Sequence, residues 1–301
     1  MNSKIRTDLA LEAREMWSES AGKTTKLPGV EAGEYKKGSF KVSTVKILNQ
    51  QGERELGKPV GNYITIELDG LIRREENAFN DAVQLLAEQL RNVMELSADS
   101  TVLVAGLGNA SITPDAVGPE AVSCVMVTRH LKERLPEHFG AFREVSAIQT
   151  GVLATTGMES AELIKAITKR LKPDKVIAID ALASRKMKRL CRTLQIADTG
   201  IVPGSGVGNS RAALNCDTLG IPVIAIGVPT VVDAYTLASD IMGDNGITDI
   251  GRDRQGNDRD MIVTPRDIDK RVTDVSKLIG YGINIALHEG LTIEDVDMFL
   301  S

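Results

Sequence analysis

Cysteine is scarce in this chain: Cys124, Cys191 and Cys216 are the three among 301 residues, far apart and without CxxC spacing. An odd, scattered set excludes a disulfide framework and argues against a structural zinc site, so a reducing, intracellular setting is expected. Long apolar runs are missing as well. No stretch approaches the 18 uninterrupted apolar residues of a bilayer-spanning helix. Arg6, Asp8, Glu12, Arg14 and Glu15 leave the N-terminal stretch without the apolar run of a signal peptide. No membrane partner is expected. Nor is there an excess of basic charge: 36 Lys and Arg against 41 Asp and Glu give a net charge of -5. With no sustained basic patch either, direct nucleic-acid contact is not expected.

What is present is the composition of a globular chain, 42% hydrophobic and 26% charged, long enough for one large or two small domains. Residues 1–58 are polar, with a short amphipathic patch from Leu9 to Trp17, and read as an arm outside the core. Val60–Leu68 alternates as a half-buried strand does, and Ala78, Ala82, Leu85, Leu86, Leu90, Val93 and Leu96 recur at helical spacing. Further strands are expected at Thr101–Ala105, Val145–Gln149, Lys175–Ile179 and Pro222–Ile226. Helices are expected at about Val117–Glu133, Glu159–Leu171, Ser184–Leu194, Val231–Met242 and Arg266–His288. Strands alternating with helices predict a three-layer α/β sandwich with a mostly parallel central sheet. The Gly-, Asp- and Arg-rich stretch 243–265 reads as an inserted, exposed loop.

In such a sheet the loops leaving the C-terminal strand ends gather along one edge, where ligands bind. Three stand out here: Gly106–Pro119 (GLGNASITPDAVGP), Asp180–Arg185 (DALASR) and Pro203–Arg211 (PGSGVGNSR). Asp115 and Asp180 each have a bland reading, as the cap of the helix that follows. Their coincidence at one edge favours chemistry, because two carboxyls at one site repel, which raises one pKa while the other stays ionised. The glycine-rich loop is either a tight turn or a source of backbone amides for an oxyanion or a peptide. Other motifs are incomplete. Gly106-x-Gly108-x-x-Ser111 lacks the third glycine of a dinucleotide site, GxxxxGK[ST] does not occur, and His130, His138 and His288 all lie outside the three loops, which disfavours a Ser/His triad.

The segments VAGLGNASITPDAVGP, AIDALASR, PGSGVGNSR and IGVPTVVDA, with RTDLALEARE and GNYITIELDGL, together resemble the germination protease family of spore-forming bacteria. The resemblance implies an endopeptidase that degrades small acid-soluble spore proteins during germination. It also implies a zymogen matured by loss of an N-terminal propeptide, a homotetramer, a place in the cytoplasm of the spore core, and a fold like that of the hydrogenase maturation proteases. Carried over residue by residue, the family's proposed catalytic aspartates fall on Asp115 and Asp180. Such enzymes cut after an acidic residue followed by an aliphatic residue and alanine. Asp8-Leu9-Ala10 has that form, so residues 1–8 are expected as a self-removed propeptide and 9–301 as a single peptidase domain. Gly106, Gly108, Asn109, Gly204, Ser205, Gly206, Gly208 and Asn209 are the candidates for holding substrate or oxyanion. No cofactor and no metal are expected, since the third loop has no histidine. Two rivals stand beside this reading: a metal-dependent peptidase using the same aspartates, and a non-enzymatic module binding a nucleotide or phosphate at the glycine loops.

Overall fold

The computed structural model describes residues 6–21, 27–208, 210–244 and 261–301. Among them the strands are β1 (Val30–Lys37), β2 (Phe40–Ile47), β3 (Gly61–Glu67), β4 (Val102–Gly106), β5 (Val145–Gln149), β6 (Lys175–Ala183), β7 (Thr193–Ala197), β8 (Val223–Asp233) and β9 (Ile262–Val263). They form one sheet in the order β1-β2-β3-β7-β8-β6-β4-β5, with β9 on β8. The expected parallel crossovers build β8-β6-β4-β5. The other half, β1-β2-β3-β7-β8, is antiparallel. Helices cover both faces, so the three α/β layers are as expected. Leu86 and Leu90 of the Ala78–Met94 helix, and Val272 and Ile279 of the Ile268–Leu287 helix, pack on one face. Ile164 of the Ser160–Leu171 helix and Ala10 and Ala13 of the Ala10–Ala21 helix pack on the other.

The segment read as an arm is part of this body. β1 and β2 extend the sheet, because β2 is buried on both faces, Phe40 and Val42 on one and Val45 and Ile47 on the other. Leu9, Ala10 and Leu11 are buried as well. Most of the stretch expected as an inserted loop, 245–260, lies outside the described residues, while 262–263 form β9.

Three expected helices change shape. The one begun at Val117 ends at Ser123, where the buried Asn284 side chain takes over the backbone: its Nδ2 donates to Cys124 O and its Oδ1 accepts from Met126 N. The one expected at Ser184–Leu194 is a 3-10 turn, Met187–Arg189, followed by β7. Cys191 there adopts φ 51°, which breaks helical geometry, and Leu194 and Ile196 are buried between β3 and β8. The one expected at Val231 begins at Ala234, because the β-branched Val231 and Val232 prolong β8.

The Val117–Ser123 helix lies directly on the strand ends. A Cβ on Gly118 would stand 2.3 Å from Leu107 O and 2.6 Å from Ile179 O. These are backbone atoms of β6 and of the turn after β4, with no side chain to give way. Gly118→Ala is therefore expected to destabilise the protein by about 3 kcal/mol or more, read as a lowered midpoint of denaturant unfolding; an unchanged midpoint would contradict this packing.

Candidate active site

The β4–β6 ladder ends at Gly106 opposite Ile179, and Leu107 N still donates to Ile179 O at 2.8 Å before the chain turns away. β6 continues, so Asp180 is the first residue beyond its neighbour. It remains paired with β8 through Gly227. The turn away from β4 needs Gly108, at φ 106°, where a Cβ would stand 2.1 Å from Asp115 O. The loop then returns in the 3-10 turn Thr113–Asp115, pinned to β8 where Thr230 Oγ1 donates to Pro114 O at 2.6 Å. Asp115 and Asp180 thus line one cleft of about 750 Å³.

Neither aspartate caps a helix. Asp115 Oδ2 accepts from Asn109 N at 2.8 Å, back within its own loop, and the helix after it has no side-chain cap. Asp180 sits inside a strand, with Oδ1 accepting from Ala181 N at 2.9 Å. Asp180 is 5% exposed. Burial pushes its pKa well above the ordinary carboxylate range, and the neighbouring Asp115 and Asp8 push it further. Burial raises the Asp115 pKa as well, against the lowering effect of the Asn109 N–H. Both carboxyls therefore hold a proton more tightly than a free carboxyl does, Asp180 the more so.

A third carboxyl, Asp8, lines the same cleft. Its N–H donates to Ala183 O at 2.9 Å, and its Oδ2 accepts from Ala183 N at 2.9 Å. Gln195 brackets the Asp8–Leu9 bond: Nε2 donates to Asp8 O at 3.3 Å and Oε1 accepts from Ala10 N at 2.8 Å. Lys58 Nζ donates to Thr7 O at 3.2 Å. Burial lowers the Lys58 pKa, opposed by the charges of Asp8 and Glu12. Leu9 is fully buried. Behind it, the Ala10–Ala21 helix is tied down by Glu12, which accepts from Arg185 N and Lys186 N and pairs with Arg189.

The glycine candidates separate. Gly108 and Asn109 shape the Asp115 loop, whereas Gly106 serves packing: a Cβ there would meet Gly118 O at 2.3 Å. In the third loop, Ser205 N and Gly208 N are engaged inside their own turn, on Val202 O and Ser205 O. The expected amide donation fails at these two positions, because the 3-10 turn uses those N–H groups itself. The loop reaches the cleft instead through the Ser205 hydroxyl, which donates to Asp8 Oδ1. Gly206 and Gly208 lie against Asp8 and Arg6 respectively, and Gly204 lines the cleft. Asn209 lies outside the described residues. Gln195 and Lys58 went unnoticed in the sequence. The signal for Gln195 was a single polar residue within the apolar strand TLQIA. Among the described residues, no group of three or more His, Cys, Asp or Glu side chains is placed to hold a metal ion.

Residues 10–261 match the family model described as germination protease. The chain is 44% identical over 324 residues to the germination protease of Clostridium tetani, covering 99% of each chain. It is 44% identical over 323 residues to that of Caldanaerobacter subterraneus subsp. tengcongensis, covering 98% of each. It is 35% identical over 356 residues to that of Bacillus licheniformis, covering 98% of this chain and 96% of the other. A solved NiFe hydrogenase maturation protease, HycI of Thermococcus kodakarensis, aligns with 65% of this chain and 98% of its own at a TM-score of 0.36 and 19% identity.

Because the folded-state pKa of Asp180 is raised, its contribution to stability is present at pH below the ordinary carboxylate value and is lost as pH rises through the raised one. Asp180→Asn is accordingly expected to raise the melting temperature at pH 7, with the gain closing as pH falls below 3.8, the carboxyl's ordinary value. A variant less stable than wild type at pH 7 would contradict the burial argument.

Proposed function

The chain belongs to the germination protease family, and on that premise we propose that it is an aspartate-dependent endopeptidase acting on small acid-soluble spore proteins. We infer further that it is made as a zymogen that removes its own residues 1–8. The observation that carries the reading is the meeting of Asp115 and Asp180 in one cleft, with the Asp180 carboxyl buried and reluctant to ionise. A neutral carboxyl beside an ionised one divides the work of peptide hydrolysis. The ionised group takes a proton from water as its oxygen attacks the scissile carbonyl, and the neutral group delivers a proton to the departing amine. The greater burial of Asp180 favours it as the acid, and the less buried Asp115, steadied by the Asn109 N–H, as the base. The two titrate as a pair.

Self-processing is supported by the position of Asp8 in the cleft and by the Gln195 amide spanning the bond after it. The full burial of Leu9, on the other side of the bond, adds a restraint on premature cutting. The homotetramer and the spore-core location belong to the same reading through the family resemblance alone.

The experiment is mass spectrometry of a small acid-soluble spore protein incubated with the enzyme. A cut after an acidic residue is expected, insensitive to EDTA, and reduced at least about a thousandfold in folded Asp115→Asn and Asp180→Asn variants. Substantial turnover by either variant would sink the carboxylate pair, and loss of turnover in EDTA would favour a metal-dependent peptidase. Intact mass of the full chain is expected to fall by residues 1–8 on mild acidification in wild type and to stay unchanged in Asp180→Asn.

A further inference from the structure

Besides the aspartate pair, the cleft contains a built seat for an acidic side chain. Asp8 presents both carboxylate oxygens to donors: Oδ2 accepts the Ala183 N–H at 2.9 Å and Oδ1 accepts the Ser205 hydroxyl. The Asp8 N–H reaches Ala183 O at 2.9 Å, so the backbone lies on the free edge of β6 while the side chain turns into the seat. Gly206 closes the wall. A Cβ there would stand 2.1 Å from Asp8 Oδ2, and its φ lies outside the left-handed region, so the space left empty serves the guest carboxylate rather than the backbone. Lys58 Nζ, donating to Thr7 O, holds the same stretch of chain.

We propose that the Ala183 N–H and the Ser205 hydroxyl form the subsite that selects an acidic residue on the N-terminal side of the cut bond. Asp8 fills it in the uncut chain, and the Asp or Glu side chain of a protein substrate fills it once residues 1–8 have left. The proposal rests on the reading that Asp8–Leu9 is a bond this enzyme cuts. Its chemistry is that of a charged acceptor: a carboxylate takes charge-assisted hydrogen bonds from both groups, whereas an asparagine gives its one oxygen to the Ala183 N–H and leaves its NH2 group to the Ser205 hydroxyl, which turns to accept it in a weaker, neutral hydrogen bond.

The test follows loss of residues 1–8 from the full chain by intact mass over time, in wild type, Ser205→Ala, Asp8→Asn, the double variant and Gly206→Ala, with thermal melts to establish folding. Ser205→Ala and Asp8→Asn are each expected to slow processing about ten- to a hundredfold, the cost of losing a hydrogen bond to a charged group. Adding Ser205→Ala to Asp8→Asn is expected to cost far less than it does alone, because the same interaction is removed twice. Gly206→Ala is expected to slow processing most. A coupling of this kind separates recognition of the acid from a general loosening of the loop, which would slow both backgrounds equally. Processing of Ser205→Ala at the wild-type rate, or equal slowing on both backgrounds, overturns the subsite alone. A folded wild type that never cuts overturns the processing reading and the subsite with it.

Discussion

The site depends on β6 outrunning β4. Their ladder closes at Gly106 and Ile179, yet β6 continues to Ala183 with, among the described residues, only β8 beside it as a strand. A strand edge released inside a folded domain must find other partners for its N–H and C=O groups. Here the partners are the turn after β4, through Leu107 N, and the N-terminal segment, through the reciprocal contacts of Asp8 with Ala183. The gap left where β4 turns away is filled by the Thr113–Asp115 turn, which brings the second carboxyl beside Asp180. A free edge beside paired carboxyls is also what an extended peptide needs in order to be held as an added strand.

Two buried acids in this molecule differ in how far their partners satisfy them. Glu12 is 1% exposed and takes the Arg185 N–H, the Lys186 N–H, the Thr7 hydroxyl and the charge of Arg189. Burial raises its pKa, and each of those donors pulls it back. Asp180 is buried to a similar degree with, among the described residues, a single opposing hydrogen bond, from Ala181 N, and with two further acids near it. The first arrangement satisfies a charge and anchors a helix. The second leaves burial and like charge almost unopposed, which on the proposed reading suits Asp180 to act as the acid. His288 is a third case: buried, with neither ring nitrogen bonded among the described residues, packed on Phe142 and with its pKa lowered to about 4, it is a neutral core side chain.

Much of this was legible in the sequence. The β-α alternation announced the parallel half of the sheet, and strand-end position picked out Asp115 and Asp180. The antiparallel half was not legible, since β1 is almost wholly exposed and reads as a polar arm until β2 is seen to carry the buried face. β7 was hidden for another reason. Its five residues follow the basic stretch Arg185–Arg192, which local propensity extends as a helix, while the turn is imposed from a distance by Glu12 holding the Arg185 and Lys186 amides. Gln195 and the Ser205 hydroxyl gained their meaning in the same way. Both act on a segment nearly two hundred residues away in the chain, a relation no local spacing encodes.

Thr7 links the two buried acid clusters: its hydroxyl donates to Glu12 Oε2 and accepts the Leu9 N–H at 3.1 Å. On one side of this link the Ala10–Ala21 helix is fixed by apolar burial and by Arg185, Lys186 and Arg189. On the other side, Thr7 and Asp8 are held by hydrogen bonds from Lys58, Ala183, Gln195 and Ser205. The two attachments share little, so on the proposed reading the helix keeps its seat when residues 1–8 leave. What such a chain loses is the charge of Asp8, one of the three causes that raise the Asp180 pKa. Burial and Asp115 then remain as the causes that raise it, and the hold of Asp180 on its proton weakens. On the proposed reading, removal of the segment therefore does two things at once: it empties the acid seat and turns three mutually repelling carboxyls into a working pair.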